Sequence, residues 1–420
     1  MSAERGQLPA RDPDHPAPDD GDADAEEGGQ FRSGSRIGNE TQRKGFTGGI
    51  VKPVENDEYP LVTDDLDAGS GERWPSHDRG PCLLIGNPTS KQGKAARLIG
   101  RTRKLLNAHG LVHEFRSTLP GGATTGLVAR AIEEEGFRTV ICLGGDGTFN
   151  EVAKGIVQAG RTGEVCMGLL PAGTANDQGK SFGLSSRPQS LERNIGIIAA
   201  GHTTRLDVGE VTALADNGMV LRRDLFFDSA GWGLSASILQ FRNRELEIVR
   251  SIPIWRNMYR DHMVYIRAAV HKLGLVWLTR DRFAAEIVTD GVVHNFERLT
   301  DLVLSNTLLY AGEWIIDPGA AHDDGLIEVA PFAGMRDWTS KLIVQHKKVP
   351  LTEELLNRFG VRHTPVLKGR EIRIQIFRPN VDKRLPAQLD GEEFQAADHF
   401  QVKVHPRMLR LIVPAGFHWI

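Results

Sequence analysis

Four short segments hold the residues best suited to chemistry. Gly144-Gly145-Asp146-Gly147-Thr148 ends an apolar run and opens a helix-like one. Glycines let a backbone approach a phosphate closely, and a helix N-terminus adds free N–H groups and a positive dipole end. Asp146 sits mid-loop, where a bare carboxylate would repel phosphate, so its expected task is to order Mg2+, often through water. Thr148 and Glu151 have capping-box spacing, which predicts Thr148 as the N-cap. On its own the loop reads equally well as a glycine turn with a helix cap. Gly145-Asp146-Gly147 runs on to Asn150 instead of the third glycine of a dinucleotide fingerprint, and Gly86 to Lys91 lacks the spacing of a P-loop.

The second segment, Pro171-Ala172-Gly173-Thr174-Ala175-Asn176-Asp177, repeats the logic of strand end, glycine, hydroxyl and carboxylate. The third, Asn87-Pro88-Thr89-Ser90-Lys91-Gln92-Gly93-Lys94, offers donors and cations that suit a nucleotide phosphate. The fourth is Gln388-Leu389-Asp390-Gly391-Glu392-Glu393. Asp-Gly is a hairpin turn signal, so its plain reading is a hairpin tip. Its functional reading makes Asp390 a general base across a cleft.

These segments need elements to hold them. Cys82–Ile85, Arg138–Leu143 and Val165–Leu170 read as buried strands, with helices expected near 94–107 and from about 149. Strands alternating with helices imply right-handed crossovers and a mainly parallel sheet. The first three segments all fall at strand carboxyl ends, where such sheets bind ligands. After about 205 the pattern turns to β, with strand candidates at Asp207–Val211, Asp224–Phe227, Ala284–Val288, Asp301–Leu304, Leu326–Val329 and Ile372–Ile376. Turn signals at Asp216-Asn217-Gly218, Asp290-Gly291 and Asp324-Gly325 point to an antiparallel second domain.

Composition narrows the class. The 420 residues carry 51 Lys plus Arg against 54 Asp plus Glu, a net of −3. That is not the surplus a nucleic-acid binder needs, and nucleic acid is excluded as a partner. Residues 1–30 hold nine acids against two bases, so a mildly basic body follows an acidic tail. The tail has too few apolar residues to order itself, and 1–78 reads as a disordered tail and linker. Cys82, Cys142 and Cys166 each lie in an apolar run without zinc spacing, which fits core thiols in a reducing compartment. No apolar run approaches the length of a membrane-spanning helix.

Together, GGDGTFNEV, PAGTAND, the upstream NPTSKQGK and the downstream LDGEE resemble the diacylglycerol kinase catalytic family, which includes bacterial lipid kinases and sphingosine and ceramide kinases. The resemblance runs over about 80–420, and the first two loops at this spacing are its most specific part. It implies an α/β N-terminal nucleotide domain, Rossmann-like, with a mainly parallel sheet and helices on both faces. It adds a C-terminal antiparallel β-sandwich-like domain, with the active site in the interdomain cleft. The expected bounds are 79–205 and 206–404, with the chain end at about 405–420 returning to the first domain.

The resemblance also implies roles. Asn87, Thr89, Thr118, Gly144, Gly145, Asp146, Gly147, Thr148, Gly173, Thr174 and Asn176 would contact ATP. Asp146, Asp177 and Asp207 would belong to one Mg2+ network, and Asp324 to a structural Mg2+ site. Asp390 would take the lipid hydroxyl proton without needing a raised pKa, with Glu392 beside it at the metal. The activity implied is an ATP-dependent lipid kinase, with diacylglycerol as the default acceptor; another hydrophobic alcohol or a soluble acceptor such as NAD is the alternative. Phe227-Asp228-Ser229-Ala230-Gly231-Trp232-Gly233-Leu234-Ser235 departs from the family. Asp228 stands where Asn is common, and Leu234-Ser235 replaces an Asp-Ala pair, which bears on the acceptor pocket.

The stretch 240–282 is basic, with Trp255, Tyr259, Met263, Ile266, Val270 and Leu273 on one helix face. It reads first as a docked helix with a solvated basic side over 250–273, and second as a contact with an anionic membrane. The expected partner is a lipid substrate at a membrane surface, the expected location cytoplasmic with peripheral membrane association, and a homodimer stays open.

Overall fold

The computed structural model describes residues 73–74, 80–90, 94–173, 176–240, 243, 282–310, 314–317, 319–334, 337, 364–378 and 384–418. All of them lie in one compact unit, Asp57–Ile420. The acidic tail and the basic helix expected over 250–273 lie outside the described residues.

Four parallel strands form one end of a ten-stranded sheet: β1 (Cys82–Gly86), β2 (His113–Ser117), β3 (Thr139–Gly144) and β4 (Cys166–Pro171), in the order β2-β1-β3-β4. β1, β3 and β4 are almost wholly buried, as near-continuous apolar runs dictate in a sheet covered on both faces. Helices α2 (Thr124–Glu135) and α3 (Asp146–Gln158) pack on one face around Phe149, Val152 and Ile156. Helices α1 (Lys94–Ala108) and α5 (Leu191–Ala200) pack on the other around Leu106, Ile195 and Ile198. The short α4 (Asp177–Ser181) follows the second loop. The strand reading missed β2 because His-Glu-Phe-Arg-Ser is a half-exposed edge with no apolar run.

After α5 come β5 (Thr203–Leu214), β6 (Val220–Phe226), β7 (Ser229–Gly233), β8 (Phe283–Thr289) and β9 (Val292–Leu299). Then follow β10 (Asp301–Ser305), β11 (Leu309–Tyr310), β12 (Trp314–Ile315), β13 (Ile327–Phe332) and β14 (Leu367–Gly369). The last are β15 (Glu371–Phe377), β16 (Ala387–Leu389), β17 (Glu392–Phe394) and β18 (His399–Ile412). A six-stranded sheet, β14-β13-β10-β7-β16-β17, faces the antiparallel part of the first sheet. Trp232, Leu302, Ile374, Leu389 and Phe400 fill the space between them, which makes the expected sandwich.

The parallel and antiparallel regions share one sheet. The 14-residue β18 pairs with β5 along its length, with β15 over its first five residues, and meets β4 in parallel, with Leu411 opposite Met167. Its register shifts between His405 and Leu409, where Pro406 has no N–H to give and Arg407 takes φ +53°. Beyond that bulge Leu409, Leu411 and Val413 enter the core of the nucleotide half, so the chain end returns there. The expected boundary at 205–206 falls inside β5.

Trp74, assigned above to the linker, is a core residue. Its Nε1–H donates to Thr139 Oγ1 at 3.2 Å, its backbone N–H to Gly201 O at 2.8 Å, and only 7% of it is exposed. The three cysteines are buried thiols, none of them in a disulfide.

Candidate active site

The helix after the first loop starts earlier than capping-box spacing predicts. Gly145, not Thr148, is the N-cap of α3, and Phe149 N–H already bonds Gly145 O at 3.0 Å. The N–H groups of Asp146, Gly147 and Thr148 therefore have no carbonyl inside the helix. Thr148 instead packs on Gly144, where a Cβ would lie 2.5 Å from its side chain.

The first two loops interlock. A Cβ on Gly145 would lie 2.9 Å from Gly173 Cα, and one on Gly173 2.5 Å from Gly145 Cα. Asn176 holds the second loop in shape at φ +54°. Its Oδ1 accepts Gly173 N–H at 2.7 Å and its Nδ2 donates to Gly173 O at 3.1 Å. Asp146 ties the loops together, because Oδ2 accepts Asn176 N–H at 2.9 Å and Oδ1 accepts Gln178 N–H at 3.3 Å. Asp146 thus supplies negative charge to the N-terminus of α4, a structural task its sequence position does not reveal. Thr174 lies outside the described residues.

The upstream loop closes on itself. Asn87 Oδ1 accepts the Thr89 N–H at 3.0 Å and its hydroxyl at 2.8 Å, an Asx-type turn at the end of β1. Thr118 follows β2 and donates its N–H to Gly86 O at 3.1 Å, which brings it beside that loop.

Asp390 and Gly391 form the tip of the β16–β17 hairpin with φ +48° and +77°, so the plain reading of that motif holds. The carboxylate that the functional reading makes a base is held by backbone amides. Asp390 Oδ2 accepts Phe227 N–H at 2.9 Å, while Oδ1 accepts Asp228 and Ser229 N–H at 2.8 and 2.9 Å. A carboxylate has about four lone-pair sites, and the described residues take three, leaving one on Oδ2. Burial pushes the Asp390 pKa up to about 6, against the pull of the three amides and of Lys154. The role implied for Asp390 does not need this upward shift, which comes from burial. From the same hairpin Glu392 reaches the first loop, and its Oε1 lies 3.7 Å from where a Cβ on Gly147 would be.

Two residues outside the predicted site belong to it. Asp228 is buried beside Asp177, Asp390 and Asp146, and burial followed by Asp177 raises its pKa well above the usual carboxylate range. Lys154, two turns along α3, forms a 2.6 Å ion pair with Asp224 on β6. A departure from the family pattern marks Asp228 in the sequence; nothing there marks Lys154.

Asp207 and Asp324 form a separate group. The Asp207 carboxylate accepts Gly325 N–H at 2.6 Å and Arg407 N–H at 2.5 Å, and its backbone O accepts Asn306 Nδ2 at 2.6 Å. It clamps the 323–325 loop to the β18 bulge. Its charged neighbours are Asp324 and Asp323, and burial pushes its pKa up to about 6. Asp324 is exposed and accepts Leu326 N–H at 2.9 Å.

Among the described residues no three His, Cys, Asp or Glu side chains converge as an all-protein metal cage. Mg2+ seldom uses one; it takes one or two carboxylates, waters and substrate phosphates. Asp177 and Asp390, both near enough to Asp228 to raise its pKa, offer oxygen-only donors that fit that habit.

The family model for the diacylglycerol kinase catalytic domain matches residues 81–211. A probable YegS-like lipid kinase of Enterobacter sp. is 40% identical over 317 residues, covering 74% of this chain and 89% of its own. Its counterpart from Chromohalobacter salexigens is 31% identical over 346 residues, covering 81% and 95%. A diacylglycerol kinase of Staphylococcus saprophyticus is 32% identical over 130 residues, and the match spans 41% of that protein's length and 31% of this chain. A crystal structure of a diacylglycerol kinase from Bacillus anthracis shares the fold, with a TM-score of 0.56 at 18% identity, covering 80% of this chain and 98% of its own. On motif, identity and coverage alike, the chain belongs to the diacylglycerol kinase-like family of lipid kinases.

Proposed function

We propose that the protein transfers the γ-phosphoryl group of ATP to a lipid hydroxyl, with diacylglycerol as the reference acceptor and phosphatidic acid as its product. The observation that carries this reading is the placement of the Asp390–Glu392 hairpin over the N-terminus of α3. One side of the cleft offers free N–H groups for phosphate oxygens, and the other offers a carboxylate with one open lone pair.

In the transfer the acceptor oxygen forms a bond to Pγ, and the bond from Pγ to the β,γ-bridging oxygen breaks. ADP leaves, and the hydroxyl proton passes to Asp390. The loops around Gly145 and Gly173 position the triphosphate, with Asn87, Thr89, Thr118 and Thr148 at its edge. Most of the catalysis is positioning and charge stabilisation. Mg2+, when bound, would neutralise phosphate charge, with Asp177 and the Asp390–Glu392 tip nearest to hold it or its waters; Asp324 would serve a second, structural ion. Asp146 and Asp207 act on that chemistry indirectly, through the loops they hold.

The lipid lies in a membrane, so the protein would work at a membrane surface, peripherally and from the cytoplasmic side. No described helix is long and apolar enough to cross a bilayer.

The test is transfer of labelled γ-phosphate to diacylglycerol, monoacylglycerol, sphingosine and ceramide in mixed micelles, beside NAD. Transfer to a lipid, lost in Asp390→Asn, supports the reading. Transfer to NAD alone overturns its lipid half, and silence on every acceptor with ATP still bound overturns the whole.

A further inference from the structure

Lys154 brings a cation from the nucleotide half to the side of the Asp390 hairpin. Gly147 and Lys154 are seven residues apart on α3, so they share one face of the helix, about 10 Å apart along its axis. Glu392, beside the hairpin tip, lies over the Gly147 end of that face. Asp224 lies over the Lys154 end, with its Oδ1 2.6 Å from Nζ. Asp224 is on β6, which runs into the Phe227, Asp228 and Ser229 amides that hold Asp390. The same hairpin is thus met from both ends of one helix face. Burial raises the Asp390 pKa, and the Lys154 charge pulls it back through space.

Lys154 has donors to spare. An ammonium carries three N–H groups, and among the described residues only Asp224 takes one. Asp224 is well anchored, since Oδ1 also accepts Leu225 N–H at 2.9 Å and Oδ2 accepts Arg222 Nη2 at 3.0 Å. Arg222 in turn lies over the Phe394 ring of the Asp390 hairpin, 5.1 Å from its centroid. The Lys154 side chain is 23% exposed, so solvent reaches it from outside the pair.

A spare donor beside the base favours a substrate that supplies the matching acceptor. In 1,2-diacylglycerol the free hydroxyl sits on the carbon next to an acylated one, so an ester carbonyl oxygen travels with it. That oxygen accepts hydrogen bonds and gives none. Resting on the lipid-kinase reading above, we propose that Lys154 donates to the ester carbonyl beside the phosphorylated hydroxyl and so selects O-acylated acceptors. Lys154 is then a specificity residue. It turns the hydroxyl toward Asp390 and repels an acceptor that carries an ammonium group in the carbonyl's place.

The experiment measures kcat/KM in mixed micelles for three acceptors of equal chain length. They are 1,2-diacylglycerol, its 1,2-dialkyl ether, which keeps the hydroxyl and lacks both carbonyls, and a 2-amino-1-alcohol. The full chain is compared with Lys154→Met, which removes the donors, Lys154→Arg, which keeps them, and Asp224→Asn, which weakens the ion pair and keeps the ammonium. The expected wild-type preference for the ester over the ether is about tenfold or more, the size of a hydrogen bond to a charged group. Lys154→Met should bring that ratio close to one, by losing activity on the ester and not on the ether, and should gain on the amino-alcohol. Lys154→Arg should restore most of the ratio. A ratio kept in Asp224→Asn shows that the ammonium itself reads the carbonyl; a ratio lost there as well as in Lys154→Met shows that Asp224 aims it. A wild-type ratio near one, or a preference for the amino-alcohol, overturns the inference without any variant and leaves the lipid-kinase reading standing. An equal loss on ester and ether in Lys154→Met also overturns it, since Lys154 would then only tie the two halves together. No transfer to any lipid by the wild type overturns both.

Discussion

Gly145 and Gly173 meet backbone to backbone, so close that a methyl group on Gly173 would sit 2.5 Å from the Cα of Gly145. The two loops therefore form one unit, the proposed phosphate site, and neither can take a side chain without parting from the other. An overpacked contact costs about 1–3 kcal/mol. Gly173→Ala should weaken ATP binding by roughly ten- to a hundredfold, read by calorimetry. Gly163→Ala, in a turn with open space around it, is the control and should bind ATP normally. Equal affinities would mean that the cradle tolerates separation of its halves.

Asp390 must be ionised to accept a proton, and its pKa is pushed up to about 6 by burial. The base is lost as pH falls through that value, so kcat/KM for lipid phosphorylation should climb through about pH 6 and level off above it. Asp390→Asn should cost on the order of 10²–10⁴-fold in kcat and abolish the limb. ATP binding should survive. A limb that persists in the variant assigns it to another group.

Lys154 on α3 and Asp224 on β6 join the nucleotide half to the antiparallel half through a 2.6 Å contact in which each side chain is about a fifth exposed. A double-mutant cycle with Lys154→Met and Asp224→Asn should give a coupling energy on the order of 1 kcal/mol in denaturant unfolding. Lys154→Met should also raise the acid limb of the activity profile, because Lys154 lowers the pKa of Asp390. No movement of that limb would confine Lys154 to a structural role.

Glu328 is 1% exposed on β13 and meets Lys368 Nζ at 3.2 Å; burial raises its pKa to about 7. The folded protein binds that proton more tightly than the unfolded chain. Its contribution to stability is therefore complete below the unfolded value, near 4.5, and is lost as pH rises through about 7. The full span is worth about 3 kcal/mol, on the scale of 1.36 kcal/mol per pH unit. Glu328→Gln should not titrate, so the difference in unfolding free energy between the two proteins should change across pH 5 to 8. Parallel stability curves would show that Glu328 ionises freely when folded.

The local elements were written plainly in the chain. Leu83 to Ile85 and Val140 to Leu143 are short continuous apolar runs ended by glycine, which read as buried strands feeding a loop. Asp390-Gly391 is a hairpin signal whatever surrounds it, and the structure makes it one. The glycine loops, with their Asn and Asp residues, carried the family resemblance without any coordinates. Strands without an apolar run escaped, as did Trp74, whose neighbours in sequence are polar while its neighbours in space are Thr139, Gly201 and Arg410.

Which carboxylate does what was decided by tertiary structure alone. Asp146, Asp207, Asp228 and Asp390 are alike as letters. Their tasks follow from the backbone N–H groups and charges that long-range packing brings to them. Asp146 and Asp207 have both oxygens engaged by amides of distant loops. Asp390 keeps one lone pair open, and Asp228 faces other acids with one shared hydroxyl. Local propensity acts over a few residues and is legible in order. Charge and hydrogen bonding act through space, and residues 228 and 390 become neighbours only when β16 pairs with β7.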